Sequence, residues 1–544
     1  MGAGRLVPSH IVRVAAQNLA FSVIDTNDLS TIRGGGLALL AAVEAVDAHL
    51  KASQPSYRRI SLGASELLAA LDVAAGDEPS VEADIRTVLA GPIGSAGAAG
   101  PRGSDFSFAV AVEPIARGAD KSLVGAVARA EARLRVGQYR TLSFVLPDPE
   151  PGSPGRPCEI DRVRPAAVAE AGVEVSRFVA VRRRFGRAAR QGFYDRELER
   201  DPAGEPVRAA LAERALAFTN TLSDLTADTA GGFALPPALS GKIAVVHLDG
   251  NGFQRLRNKL MRDVDAVAAF STSVRTWQTR LLARLLAWAL EPDRSHMIRQ
   301  PVRSRQDDDE VARLRFETLL WGGDEMVFAV PVWAAWSLVL EIEDELHGWE
   351  LPGDALFRHL SPQERRLTHG IGLAFVNHKA PIRQSRSLAD DLCSDAKRAD
   401  KSRTIVSAFA AESVELPRGD LDRTRERLLL DGAKATVPFA FAKPAVQRPF
   451  QSATTWFRCL KGALDRSQAM KLALEARQWP GGLAAADAGS GDAAWSTWAA
   501  AELTRVLRER SGTMLSPTWA SATRRSTFRS RRRGRVRPAT RCCR

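Results

Sequence analysis

Two adjacent acids, Asp324 and Glu325, follow two glycines, Gly322 and Gly323, between two strand-like runs. Residues 314–320 (LRFETLL) alternate large apolar and polar side chains, and residues 326–330 (MVFAV) are apolar and β-prone. Glycines permit the positive φ angles of a tight hairpin, so the turn is expected to project both acids from its tip. Neighbouring carboxylates repel one another, and a divalent cation makes such a pair favourable. A hairpin tip that is merely acidic is the plain alternative. The sequence upstream argues against it.

There, residues 241–256 read GKIAVVHLDGNGFQRL. Ile243 to Leu248 suit a buried strand that ends at Asp249, and Gly250, Asn251 and Gly252 follow. Leu256, Leu260, Val264, Val267, Phe270, Val274, Trp277, Leu281 and Leu285 then recur at helical spacing, which predicts one long amphipathic helix. Glycines opening a helix leave backbone N–H groups free for phosphate oxygens. In a βαββ unit the first strand lies beside the hairpin. Asp249 and Asp324 could then share Mg²⁺ ions, as phosphoryl and nucleotidyl transfer require.

The pair LDGNGF and WGGDE resembles the palm domain of GGDEF-type nucleotidyl cyclases, class III cyclases and the large subunit of type III CRISPR effectors. The CRISPR subunit fits best. Residues 369–398 continue with a glycine-bearing strand, Lys379-Ala380-Pro381, and a helix ending in Ala396-Lys397, similar to the end of that subunit's second palm. The three matches keep the family's order over roughly residues 240 to 400. The resemblance implies ATP or GTP bound between palms with Mg²⁺ or Mn²⁺ on Asp249, Asp324 and Glu325. It also puts Lys397 near the triphosphate, where a point cation is useful, and makes Lys379 a second nucleotide-binding candidate supplying positive charge; alone, Lys379 and Lys397 read as solvated surface lysines. Some features depart from the family. Glu325 stands where the oligoadenylate-making subunit has a second aspartate, and Met326 replaces the aromatic of GGDEF. A histidine–aspartate nuclease motif and a paired-cysteine zinc site are not found.

Residues 21–46 read as a weaker copy, with an apolar strand, Asp25-Thr26-Asn27 spaced like Asp249-Gly250-Asn251, then a helix. Strands near Ile60–Leu62, Phe106–Val112 and Thr141–Leu146, and a helix at Leu123–Leu134, complete a βαββαβ order. Gly63-Ala64-Ser65-Glu66 takes the place of GGDE and lacks paired acids. Helix capping alone would explain Asp25 and Asp28.

The expected fold is therefore α/β (α+β), with two ferredoxin-like βαββαβ palms. A degenerate first palm spans 1–175, a charged helical connector 176–236, and the second palm 237–412. A helical carboxy-terminal domain (413–512) and a disordered Arg-rich tail (513–544) follow. At 544 residues the chain can bury ample cores. Five scattered cysteines imply no disulfide framework, and no signal peptide or membrane-crossing run is evident, so a cytoplasmic protein is expected. Of the net charge of +13, residues 521–544 contribute ten arginines and no acid, which leaves +3 for the rest. That tail reads as an RNA-binding arm or as an incidental extension. Three functions compete: an active nucleotidyltransferase, a scaffold binding RNA and effector-complex subunits without turnover, and a diguanylate cyclase-like signalling enzyme. The doubled palm and the lack of a sensor domain argue against the third.

Overall fold

The structure, a computed structural model, describes residues 8–93, 100–116, 123–140, 155–170, 172–226, 239–301, 311–411, 416, 421 and 439–440. These belong to one compact unit spanning 1–421 and 437–441. The expected strand at Thr141–Leu146, nearly all of the expected carboxy-terminal domain, and the Arg-rich tail lie outside the described residues.

The chain opens with β1 (His10–Gln17), α1 (Leu19–Ser22), α2 (Leu29–Ser53), β2 (Arg58–Leu62), β3 (Glu66–Leu71), α3 (Glu78–Ala90), β4 (Ser107–Pro114) and α4 (Leu123–Arg140). A connecting stretch holds β5 (Val168–Glu170), β6 (Val173–Val175), α5 (Arg177–Leu198), α6 (Glu205–Glu213) and β7 (Ala217–Phe218). Then come β8 (Lys242–Gly250), α7 (Phe253–Leu260), α8 (Val264–Ala289), β9 (Ile298–Arg299), β10 (Arg313–Leu314), β11 (Glu317–Gly322) and β12 (Glu325–Pro331). The remainder is α9 (Ala335–Leu346), α10 (Pro362–Arg365), β13 (His369–Asn377), α11 (Ile382–Ala399), β14 (Ile405–Ala410) and β15 (Phe439–Ala440).

This mixed α and β chain is organised by two sheets, in the orders β2-β3-β1-β4 and β11-β12-β8-β13-β14-β15. In each, the opening strand pairs antiparallel with the second strand of a hairpin on one side, and on the other with the strand that precedes the next helix. The two hairpins also share an irregularity. Register slips between Arg59 and Ser61 in one and between Thr318 and Leu320 in the other, at the same distance from the turn glycine. A bulge is a local device that bends a strand at a chosen place, so its recurrence at one position links the two units beyond strand order.

Register also corrects the reading of residues 21–46. The strand equivalent to β8 is β1, and Leu19–Ser22 is helical. Ala15 stands opposite Glu66, as Asp249, one residue beyond the Leu248–Met326 pair, stands opposite Glu325. The first unit therefore has Ala15 and Ser65 at the positions of Asp249 and Asp324. Asp25 instead accepts hydrogen bonds from Arg164 Nη1 (2.7 Å) and Arg182 Nη1 (2.9 Å), which ties the α1–α2 loop to α5. Asp28 caps α2 by accepting from Thr31 N at 2.8 Å, as helix capping requires. The sequence misled because β1 carries His10, Arg13 and Gln17, whereas Phe21–Ile24 is more uniformly apolar.

The long helix expected after Gly252 is two helices. α7 ends at Leu260, and Asp263 caps α8 through Asp265 N at 2.9 Å. The apolar period continues across the break because both helices bury against one core. The hairpin strand is shorter than residues 314–320, since Arg313–Leu314 joins a separate small sheet with β7 and β9. α2 is long and apolar enough by composition to cross a membrane, but 72% of its apolar window is buried inside the protein. Its Ala38, Leu39, Val46 and Leu50 pack on the first sheet, as a core helix does.

Strand alternation divides the second sheet's two faces. Val246, Leu248, Met326 and Phe328 pack with α8 and α9, while Val245, Val327 and Ala329 pack with Leu388, Ala389 and Leu392 of α11. Each fully buried Val, Leu, Met or Phe among them contributes roughly 1.5–3 kcal/mol relative to exposure. The same alternation sends His247, Asp249 and Glu325 to the α11 face.

Candidate nucleotide and metal site

β8 ends where the β11–β12 hairpin turns, and the acids gather there. Gly322 pairs with Glu325 across the turn, and Gly323 takes a φ of +58°, which an L side chain adopts only with strain. Gly322 answers a second need. A Cβ there would lie 2.6 Å from the Cβ of Ala64, because the turn of the first hairpin presses on the turn of the second.

Asp324 at the tip is half-buried. Burial, then the charge of Asp249, pushes its carboxyl up to about 6, with Glu325 adding to the push and Lys397 opposing it. The charge of Asp249 thus opposes ionisation of Asp324, as one carboxylate does to its neighbour. Lys397, near the end of α11, forms an ion pair with Asp249. Among the described residues no group of three His, Cys, Asp or Glu side chains is arranged to hold a metal. Two carboxylates nevertheless suit Mg²⁺, which keeps several waters and is usually bound through one or two carboxylates plus substrate phosphates. The donor set fits that ion in the presence of a triphosphate.

Glu325, next to Asp324 in the chain and opposite Asp249 across the strands, is otherwise engaged. His247 Nε2 lies 3.3 Å from its Oε1, and Arg386 Nη2 lies 3.7 Å away. Burial pulls the Glu325 carboxyl up, but the hydrogen bond from His247 and the charges of His247, Arg386 and Lys397 outweigh it and hold it below the usual carboxylate range. His247 and Arg386 were not anticipated as site residues. Two signals could have found them: His247 is two residues from Asp249 on the same strand face, and Arg386 lies eleven residues before Lys397 on the same helix face.

Gly252 begins α7 in the left-handed conformation (φ +69°) without a side-chain cap, so the helix opens with unsatisfied N–H groups beside Asp249. Gly250 is required by Phe253, whose ring atoms would lie 2.3 Å from an added Cβ. Asn251 is tied away from the acids. Its Nδ2 donates to Thr368 Oγ1 at 3.0 Å and to the Arg403 carbonyl at 3.3 Å. Lys379 is not assembled with the site. It follows Asn377, which pairs with Lys242 at the far end of β8 from Gly250. An antiparallel strand carries its end away from its start, so of the two lysines only the one at the end of the returning helix reaches Asp249.

Beside Asp324 lies a cavity of about 130 Å³, lined by Phe253, Gln254 and Arg257 of α7, by Phe270 and Val274 of α8, and by Gly63 and Glu66 of the first hairpin. Asp324 therefore borders a cavity walled by both units.

No protein-family model matches the chain, and no curated protein does. Among solved structures it is similar to the apo Csm1–Csm4 cassette (TM-score 0.40, 10% identity, covering 75% of this chain and 55% of that one). It is likewise similar to Csm1 of T. onnurineus (TM-score 0.38, 11% identity, 73% and 53%). A third is the Csm1–Csm4 subcomplex of the type III-A CRISPR–Csm interference complex (TM-score 0.40, 12% identity, 76% and 56%). These structures are of the type III large subunit that the motifs resemble. The chain spans about half the length of the solved chains it matches.

Proposed function

We propose that the chain is a metal-dependent nucleotidyltransferase of the palm type, akin to the large subunit of type III CRISPR effectors. It comprises two ferredoxin-like palms, a degenerate one within 1–175 and a competent one within 237–412. The observation that carries this reading is the convergence of Asp249 and Asp324 beside Lys397, where β8 opens into an uncapped helix. Asp249 and Asp324 would hold Mg²⁺ or Mn²⁺, and the first-turn N–H groups of α7 offer donors to phosphate oxygens. Lys397, released from Asp249, supplies a point cation to the triphosphate of ATP or GTP. A 3′-hydroxyl attacks the α-phosphate, the α–β phosphoanhydride bond breaks, pyrophosphate leaves, and the hydroxyl proton passes to solvent. Bound metal lowers the hydroxyl's pKa and offsets charge on the leaving group. The expected products are cyclic or linear oligonucleotides of the second-messenger kind. Csm1–Csm4 cassettes have been described with AMPPNP, one ATP and cA3.

A scaffold reading is favoured by one feature: Glu325 is held by His247 and Arg386 rather than directed at the aspartates. In that reading the chain binds RNA and partner subunits of an effector assembly without turnover. Incubation of the full chain with each labelled nucleoside triphosphate and Mg²⁺ or Mn²⁺, with and without RNA, separates the two. Labelled oligonucleotide and pyrophosphate, both lost in Asp324→Ala, support turnover. Absence of product under every condition, with or without nucleotide binding, overturns the nucleotidyltransferase reading and leaves the scaffold.

A further inference from the structure

At the opposite end of the second sheet from the acids lies a partly open cavity of about 820 Å³. His378, which lines it, follows the strand end paired with Lys242. Four arginines line it, Arg183 and Arg187 of α5, Arg299 of β9 and Arg313 of β10, against two aspartates, Asp28 and Asp224. Both aspartates are already committed. Asp28 caps α2, and Asp224 accepts from the Asn220 and Thr221 backbones and pairs with Arg299.

Arg299 and Arg313 stand directly opposite each other on antiparallel strands. Asp224 pairs with Arg299, and Arg313 Nη1 donates to the Phe218 carbonyl at 3.0 Å, so both guanidinium groups are held at the cavity wall. Arg183 Nε comes no nearer to Asp28 than 3.6 Å, and its buried Nε and Nη1 donate to no protein acceptor; nor does Arg299 Nε. The first turn of the 25-residue α2 borders the same cavity through Leu29 and Ser30, and the cap on Thr31 leaves their N–H groups without an intrahelical acceptor.

We propose that this cavity binds a phosphate-bearing ligand one or two nucleotides in size. Guanidinium forks match phosphate oxygens in pairs, and a helix start adds N–H donors and positive potential. Asn27 and Gln300 on its walls offer the amide donors and acceptors that ribose and base edges use. A volume of this order suits a small ligand. The inference does not depend on catalysis at Asp324.

The test uses the full chain carrying Asp324→Ala, so that the acidic site is out of play. Fluorescence anisotropy follows labelled pApA, with unlabelled ApA, inorganic phosphate and a triglutamate peptide as competitors. Arg183→Gln and Arg299→Gln are each expected to weaken pApA on the order of tenfold, as loss of a charge-assisted contact does. Arg187→Gln, on a more exposed side chain, should give a smaller loss in the same direction. Thermal melting of each variant confirms that it is folded. Inorganic phosphate competing where ApA does not identifies the phosphate as the recognised group. Equal competition by ApA, unchanged affinity in all three folded variants, or displacement by triglutamate alone would overturn the proposal.

Discussion

Lys397 of α11 reaches across to Asp249 at the end of β8, so one cation already sits on one of the two aspartates. A metal ion and this ammonium therefore compete for Asp249, while a triphosphate needs both. Lys397→Ala should thus have opposite effects on two ligands. Mn²⁺ alone is expected to bind severalfold more tightly, because the competing charge is gone. ATP with Mg²⁺ is expected to bind at least tenfold more weakly, because a charge-assisted phosphate contact is gone. Isothermal titration of each ligand reads both effects, and parallel losses would show that Lys397 merely supports the fold.

The pH dependence follows from Asp324. Its carboxyl is raised from an ordinary value of 3.8 to about 6, by burial first and by Asp249 second. Between those values the folded protein keeps a proton that the unfolded chain has released, so this group's contribution is greatest at low pH and is lost as pH rises through about 6. Asp324→Asn removes the penalty of ionisation. At pH 8 without metal it should be more stable than wild type, on the order of 1 kcal/mol after allowance for solvent screening, and the gap should close towards pH 4. Denaturant titrations at several pH values measure it. A constant gap would mean that Asp324 does not titrate there.

Much of the site was legible because its parts are local. Asp249, the glycines after it and the GGDE turn each announce themselves within a few residues, and strand pairing then brings them together. What failed was longer in range. Lys379 and Lys397 both read as sources of positive charge for the nucleotide, and the antiparallel direction of β13 carries Lys379 away. β1 was missed because a strand carrying His10, Arg13 and Gln17 lacks the apolar run by which β8 declares itself; Glu66 and Glu131 pair with Arg13, which makes its position tolerable. The arginine-lined cavity joins α2, α5, β9 and β10, and no sequence period connects elements so far apart.

The contact between the two hairpins can be tested without assaying function. Gly322→Ala puts a methyl 2.6 Å from Ala64 Cβ and 2.9 Å from its backbone nitrogen. Overpacking of that kind costs about 1–3 kcal/mol. Gly323→Ala meets nothing within 4 Å, so its cost is only the strain of a positive φ, about 1–2 kcal/mol. Ala64→Gly should partly rescue the first substitution and leave the second unchanged. A double-mutant cycle by urea denaturation reads the coupling, and no rescue would mean that the two turns part rather than press.

The junction between the units is fixed elsewhere by Arg33 of α2 and Glu317 of β11. Arg33 Nε donates to Oε1 at 2.8 Å and Nη2 to Oε2 at 2.5 Å, with both side chains almost wholly buried. Burial works against the charge on Arg33, yet Glu317's charge and hydrogen bonds hold its pKa above the ordinary value. Glu317→Ala would leave a buried guanidinium without its counter-ion, which typically costs about 3–5 kcal/mol. Replacing both residues by apolar ones of similar size, Arg33→Met with Glu317→Leu, should recover most of that loss, because no charge then remains to be desolvated. Since Glu317 lies five residues from Gly322 on the strand that leads to Asp324, the single variant should also weaken metal-dependent ATP binding, and the double variant should restore it. Chemical denaturation and ATP titration on the same three proteins decide the matter. A single variant losing less than about 1 kcal/mol would show that water reaches Arg33 and that this pair does not hold the two units in register.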